Sequence, residues 1–283
     1  MLVFIDTADI DEIKEAFSWG IVDGVTTNPS LIKKAVEKHK GSGVTLPDYI
    51  RKILNIAGPG CPVSLEVIGV TEEDILHEAH YLYETFNEIV GNVVIKVPIN
   101  PRVPSGENDI YDGLKALKRL HEEGIPTNCT LVMTPEQALL AAKAGANYIS
   151  PFAGRIDDDL RTRAGLKFDK TDHFPVEGIT EKGTPAGRDD TPLTDNGIFS
   201  GVDLVRSTMD IIAAYDLDSL IIAASIRNSR QARELAEIGA DVSTIPFPVI
   251  QDMLCHHKSE EGMASFLNDV VPEYRAMFDV KTV

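Results

Sequence analysis

Short apolar runs alternate along this chain with longer amphipathic segments. Runs at 2–7, 24–27, 63–67, 93–97, 127–132, 148–151, 220–225 and 242–246 predict eight strands. The segments between them at 9–19, 47–57, 71–90, 110–123, 135–144, 202–215 and 229–238 carry apolar residues at helical spacing. Gly124, Gly145 and Gly239 follow three of these segments, where helices often end. Strands regularly followed by helices are the signature of parallel β/α units. Eight such units in 283 residues fit a (β/α)8 TIM barrel. The same periodicity also permits an open doubly wound sheet, which is the alternative at this point.

Two stretches break the rhythm. Residues 158–200, rich in Asp, Thr, Pro and Gly, are too long for an ordinary loop and predict an insertion after the sixth strand. A smaller irregular piece at 100–109 follows the fourth. A tail helix is expected over 260–278. No duplication or linker divides the chain, so 1–283 is read as one barrel domain. The insertion follows a barrel strand, so it should lie on the active face as a loosely packed flap, with too few apolar residues for a core of its own.

Composition narrows the partners. With 27 basic and 44 acidic residues the formal charge is −17, a field that repels nucleic acid and anionic lipid. Neither is expected as a partner. An anionic substrate would need locally placed Arg or Lys. Cys61, Cys129 and Cys255 are odd in number and lack metal-site spacing, which points to reduced thiols in a cytoplasmic protein. The first residues show no export leader, and no apolar run approaches the roughly 18 residues of a membrane span. His77 and His80 share a helix face without a partner cluster, and 183–187 lacks the lysine of a phosphate-binding P-loop. No metal and no nucleotide or other cofactor is expected.

The residue with most chemical content is Lys96, inside Val-Val-Ile-Lys-Val-Pro. It either reaches solvent from a strand end, with its stem on apolar neighbours, or lies buried, where desolvation disfavours the ammonium. A neutral lysine amine attacks ketones to form Schiff bases. Polar residues close the other strands: Asp6, Thr26 and Asn28, Glu66, Asn128 and Thr130, Ser150 with Phe152 and Arg155, and Ser225 with Arg227. Singly each is a cap or a solvated end. Jointly they supply a nucleophile, two carboxylates for proton transfer, hydroxyl and amide donors, and two guanidiniums suited to phosphate.

Five ordered motifs carry a resemblance: Ile-Asp-Thr-Ala at 5–8, Thr-Thr-Asn-Pro-Ser-Leu at 26–31, the Lys96 strand, Ser-Pro-Phe-Ala-Gly-Arg-Ile at 150–156 and Ala-Ala-Ser-Ile-Arg-Asn at 223–228. Over nearly the whole chain they resemble the transaldolase family of class I Schiff-base aldolases. The resemblance implies a (β/α)8 barrel, phosphorylated sugar substrates, and homo-oligomers built as rings, pentameric or decameric. It assigns the Schiff base to Lys96 and proton exchange with the sugar C4 hydroxyl to Asp6. Glu66 and Thr130 would hold a water. Asn28 and Asn128, with Thr26 and Ser150 beside them, would bind the ketone fragment, and Arg155, Ser225 and Arg227 the phosphate. Fructose 6-phosphate aldolases resemble the same pattern but carry Gln at the Glu66 position, Tyr near Phe152 and Lys at the Arg227 position. The expected reaction is therefore transfer of a dihydroxyacetone unit between sugar phosphates. Simple cleavage releasing dihydroxyacetone and a non-catalytic phosphosugar-binding barrel are the alternatives.

Overall fold

A computed structural model describes residues 1–38, 44–104, 109–187 and 191–278. Strands β1 (Leu2–Asp6), β2 (Gly24–Thr26), β3 (Val63–Glu66), β4 (Val93–Pro98), β5 (Thr127–Val132), β6 (Tyr148–Pro151), β7 (Leu220–Ala223) and β8 (Val242–Ile245) form a closed parallel barrel in sequence order. Closure is made by β8 against β1, with Ile5 opposite Ile245. The barrel is wrapped by α1 (Ile10–Ser18), α2 (Pro29–Lys38), α3 (Leu46–Ala57), α4 (Glu72–Val90), α5 (Asp112–Glu122), α6 (Pro135–Lys143), α7 (Ala153–Arg163), α8 (Gly201–Ala214) and α9 (Ser229–Glu237). The fold is a (β/α)8 barrel, and the open sheet is excluded.

Strand parity divides the side chains into two sets. Ile5, Val25, Val63, Leu65, Ile95, Val97, Cys129, Ile149, Ile221, Ala223 and Ile245 all join the large core packed between barrel and helices. The opposite parity faces the interior. Near the N-terminal end of the strands it holds an apolar plug of Phe4, Ile222 and Val242 with Tyr148 against them. Gly24 makes room for this plug, since a Cβ there would meet the Phe4 ring at 2.6 Å. Toward the C-terminal end the same parity turns polar, with Asp6, Thr26, Ser64, Lys96, Asn128, Ser150 and Thr244.

Several helices differ from the sequence expectation. Helix α2 was not expected, yet it carries a start signal: the Asn28 side chain accepts from Leu31 N at 3.0 Å and Pro29 takes the first helical position. Helix α7 absorbs the first six residues of the expected insertion, so the irregular stretch starts at 164, and Ser200 ends it by capping α8. Phe174, Ile179 and Ile198 from that stretch are buried with Ile156, Leu160 and Leu204. The segment thus shares a small core with α7 and α8, contrary to the loose packing expected. Residues 188–190 of it, and 105–108 of the irregular piece after β4, lie outside the described residues. The tail is helical in three pieces, α10 (Phe247–Asp252), α11 (His257–Asn268) and α12 (Pro272–Ala276). Pro272 lacks the N–H needed to continue α11 and starts α12 instead.

Candidate active site

At the C-terminal end of the strands lies a cavity of about 230 Å³, bordered by Asp6, Thr26, Asn28, Lys96, Ser150, Phe152, Arg155, Ser225 and Arg227. Nine of the twelve residues singled out in the sequence therefore share one cavity. The other three do not border it: Glu66 contacts Lys96 and borders an adjoining cavity of about 740 Å³ with Thr27 and Asn28, while Asn128 and Thr130 are completely buried.

Register explains the convergence. Asp6 pairs with Thr26, Glu66 with Lys96, and Lys96 with Asn128, so these positions lie near one level of the barrel. Hydrogen bonds then tie these side chains together, between neighbouring strands (Thr26 with Asp6, Ser150 with Asn128) and across the interior (Thr26 with Thr244, Asn128 with Ser64). Thr26 Oγ1 donates to Asp6 Oδ1 at 2.8 Å and meets Thr244 Oγ1 at 2.5 Å. Asn128 Nδ2 donates to Ser64 Oγ at 3.1 Å, and Ser150 Oγ donates to Asn128 Oδ1 at 2.7 Å. The interior thus holds two hydrogen-bonded polar groups, Asp6–Thr26–Thr244 and Ser64–Asn128–Ser150, above an apolar plug, and in so dry a place each such bond fixes its partners' orientation.

Lys96 is buried, 5 % exposed. Its Nζ lies 3.1 Å from Glu66 Oε2 and donates to Thr27 O at 3.2 Å. The apolar residues that flank Lys96 in sequence point outward into the helical shell, so the amine sits among polar groups rather than the apolar ones its string suggests. Burial pushes the Asp6 carboxyl above its ordinary range, opposed by the Lys96 charge, the Thr26 hydroxyl and Arg227. Thr130 Oγ1 is buried without a partner among the described residues, an acceptor and donor open to a small polar molecule. Beside it Leu131 has φ 59°, where the β5–β6 register shifts, and Ser225, two residues past β7, has φ 64°. Strained backbone of this kind clusters at functional sites.

The opposite end of the cavity is cationic. Arg155, exposed on α7, stacks its guanidinium 5.0 Å from the Phe152 ring. Arg227 donates Nη2 to Asp158 Oδ2 at 2.6 Å, and its Nε has no partner among the described residues. Close approach of β7 and α7 depends on Gly154, where a Cβ would come within 2.1 Å of Ser225 O and 2.6 Å of Arg227 Nε. Asp158 lies one turn farther along the same helix face.

Three contributors escaped the sequence reading. Thr244 could have been found by extending strand parity to β8. Asp158 could have been found from its i+4 spacing to Gly154. Lys170, which also borders the cavity, comes from the irregular segment and has no periodic signal. Among the described residues no group of three or more His, Cys, Asp and Glu is placed to hold a metal. No helix among them is long and apolar enough to cross a membrane.

Comparison with known proteins agrees with this geometry. A family model described as Transaldolase/Fructose-6-phosphate aldolase matches residues 3–282. A protein from Thermoplasma acidophilum named "Probable transaldolase" is 39 % identical over 269 residues, covering 95 % of this chain and 95 % of its own. One of the same name from Aquifex aeolicus is 37 % identical over 275 residues, covering 96 % and 99 %. A third, from Desulfosudis oleivorans, is 40 % identical over 269 residues, covering 95 % and 97 %. The chain belongs to the transaldolase/fructose-6-phosphate aldolase family.

Proposed function

We propose that this enzyme transfers a dihydroxyacetone unit from a ketose phosphate to an aldose phosphate through a Schiff base on Lys96. The observation that carries the reading is a buried lysine with a carboxylate 3.1 Å from its Nζ, in one polar layer with a second carboxylate, Asp6. Glu66 is placed to accept the Lys96 proton as the ketone arrives, freeing Nζ to attack C2. With Thr130 it can hold the water that moves protons while the carbinolamine loses hydroxide and becomes the iminium. Asp6 takes the C4 hydroxyl proton as the C3–C4 pair of electrons moves into the iminium. The aldose phosphate leaves and an enamine stays on Lys96. Reversal with a second aldehyde completes the transfer, Asp6 returning the proton. A carboxyl raised by burial is a stronger base than an ordinary carboxylate, which suits a group that takes a proton and returns it.

Phe152 supports transfer over cleavage. Its ring borders the cavity and has no hydroxyl to protonate the enamine, so the intermediate persists until an acceptor arrives. Arg155, Ser225 and Arg227 are assigned to the phosphate, which a guanidinium grips with paired hydrogen bonds. The test supplies fructose 6-phosphate with and without an aldose phosphate acceptor and measures free dihydroxyacetone against transferred product. Transfer in excess of release is expected. Release at equal or greater rate without acceptor would assign simple cleavage.

Two further proposals concern the protein's setting. Met263, Phe266, Leu267, Tyr274, Met277 and Phe278, on and just beyond α11 and α12, are all exposed, a concentration of large apolar side chains on the tail of the kind that marks association. The chain is accordingly read as a homo-oligomer, with light-scattering mass as the test and Phe266→Glu expected to lower it. Three unpaired cysteines fit a reducing, cytoplasmic setting.

A further inference from the structure

The irregular segment brings a cation to the cavity wall, Lys170. The turn that carries it, 169–172, is held from two sides. Arg161, only 4 % exposed, stacks over Phe168 at 4.6 Å and Phe174 at 5.3 Å. Its guanidinium donates to Asp169 O at 3.3 Å and to Asp172 O at 2.9 Å. The turn also closes on itself, with Asp172 N donating to Asp169 O at 2.9 Å and Asp169 N to Asp172 Oδ2 at 2.8 Å. From the far side Asn228 Nδ2 donates to Thr171 O at 3.0 Å, and Asn228 directly follows Arg227. Lys170 therefore occupies the second position of a fixed β-turn, between α7 and the loop that bears Arg227.

Charge says what such a lysine faces. Arg227 is already engaged by the Asp158 carboxylate, which offsets much of its pull on an anion. Arg155 and Lys170 are both solvent-exposed, where screening weakens each, so an anion held at this end needs more than one of them. Lys170 makes no ion pair among the described residues, in a chain of net charge −17. An unpaired cation bordering a cavity with two guanidiniums and the Ser225 hydroxyl completes a pocket for a dianion. We propose that Lys170 is a phosphate-binding residue, the third cation of this pocket, and that Arg161 is the positioning residue that sets it through the turn. The inference rests on the proposed function for the sugar that carries the phosphate, but its test uses inorganic phosphate alone.

Titration calorimetry of the full chain with inorganic phosphate compares wild type, Lys170→Met and Lys170→Arg. Lys170 is exposed, so both variants are expected to fold. Loss of one charge-assisted contact predicts a Kd about 10-fold higher for Lys170→Met, with Lys170→Arg recovering to within roughly threefold. Arg161→Lys keeps the charge but loses the fork, and should weaken phosphate in the wild-type background and far less in the Lys170→Met background. An unchanged Kd in Lys170→Met, or a wild type that binds no phosphate, overturns the assignment. Equal effects of Arg161→Lys in the two backgrounds overturn its positioning role. Reductive trapping of fructose 6-phosphate and of dihydroxyacetone is scored separately: Lys170→Met should shift the phosphorylated ketose about 10-fold relative to the plain one. A wild type that binds phosphate through Lys170 but traps neither ketose would count against the Schiff-base reading alone.

Discussion

At the Lys96 end of the cavity the reactive side chains come from strands. Asp6, Glu66, Lys96, Asn128 and Thr130 stand on β1, β3, β4 and β5, and none is substantially exposed. At the cationic end Arg155 stands on α7, Ser225 and Arg227 on the connection after β7, and Lys170 on an inserted turn. The first group is fixed by sheet register, which cannot change without moving the whole barrel. The second is fixed by side-chain pairs such as Arg227 with Asp158, which a single substitution can rearrange. Under the proposed function, bond-making chemistry and anion recognition are therefore separable. The first should read out in kcat and the second in KM.

The sharpest way to break that division is Asp6→Asn. It should slow C–C cleavage by about 10² to 10⁴-fold while Lys96 still forms its adduct, as rapid-quench trapping would reveal. A loss confined to KM would merge the two ends.

Next in size is a stability effect at the seam between them. Asp157 on α7 is buried, accepting from Gly201 N at 2.6 Å and Gln231 Nε2 at 2.7 Å, and burial pushes its carboxyl up to about 7. The native state then holds a proton that the unfolded chain has released, so stability falls as pH rises from about 4 to about 7 and this group adds no further slope above that. Asp157→Asn should remove that slope, read by denaturant titration at several pH values, and should cost about 1 to 3 kcal/mol throughout, because one of its two oxygen positions becomes an amide donor facing Gly201 N or Gln231 Nε2.

Of similar size, Arg227→Met should weaken phosphorylated substrates by about 1.5 to 3 kcal/mol and dihydroxyacetone much less. Equal losses would move Arg227 out of the phosphate pocket. Asp158→Asn should have the smallest effect, tightening inorganic phosphate by roughly threefold as the guanidinium is released from its carboxylate. Weaker phosphate binding would mean that Asp158 orients Arg227 rather than competing for it.

The Lys96 end was legible in the sequence because strand ends and period-two alternation are local signals. Asp6, Thr26, Glu66 and Asn128 each close or occupy a run that reads as a strand. What could not be read was the environment of Lys96, since Val94, Ile95 and Val97 describe its neighbours along the chain, whereas Glu66 meets it only across the barrel. The irregular segment was opaque for a related reason. Phe174, Ile179 and Ile198 are spaced too irregularly to suggest a core, and they acquire one from Ile156 and Leu160 of α7 and Leu204 of α8. Lys170 sits in a turn whose shape is set by Arg161 and Asn228, neither of which a local pattern would pair with it.

The proposed reaction requires a covalent intermediate on Lys96. Borohydride reduction in the presence of fructose 6-phosphate, followed by peptide mass mapping, tests it most directly. A dihydroxyacetone-derived adduct on the peptide containing Lys96, absent in a folded Lys96→Arg variant, is the predicted result; an adduct on any other lysine, or none with any ketose phosphate, would contradict the account.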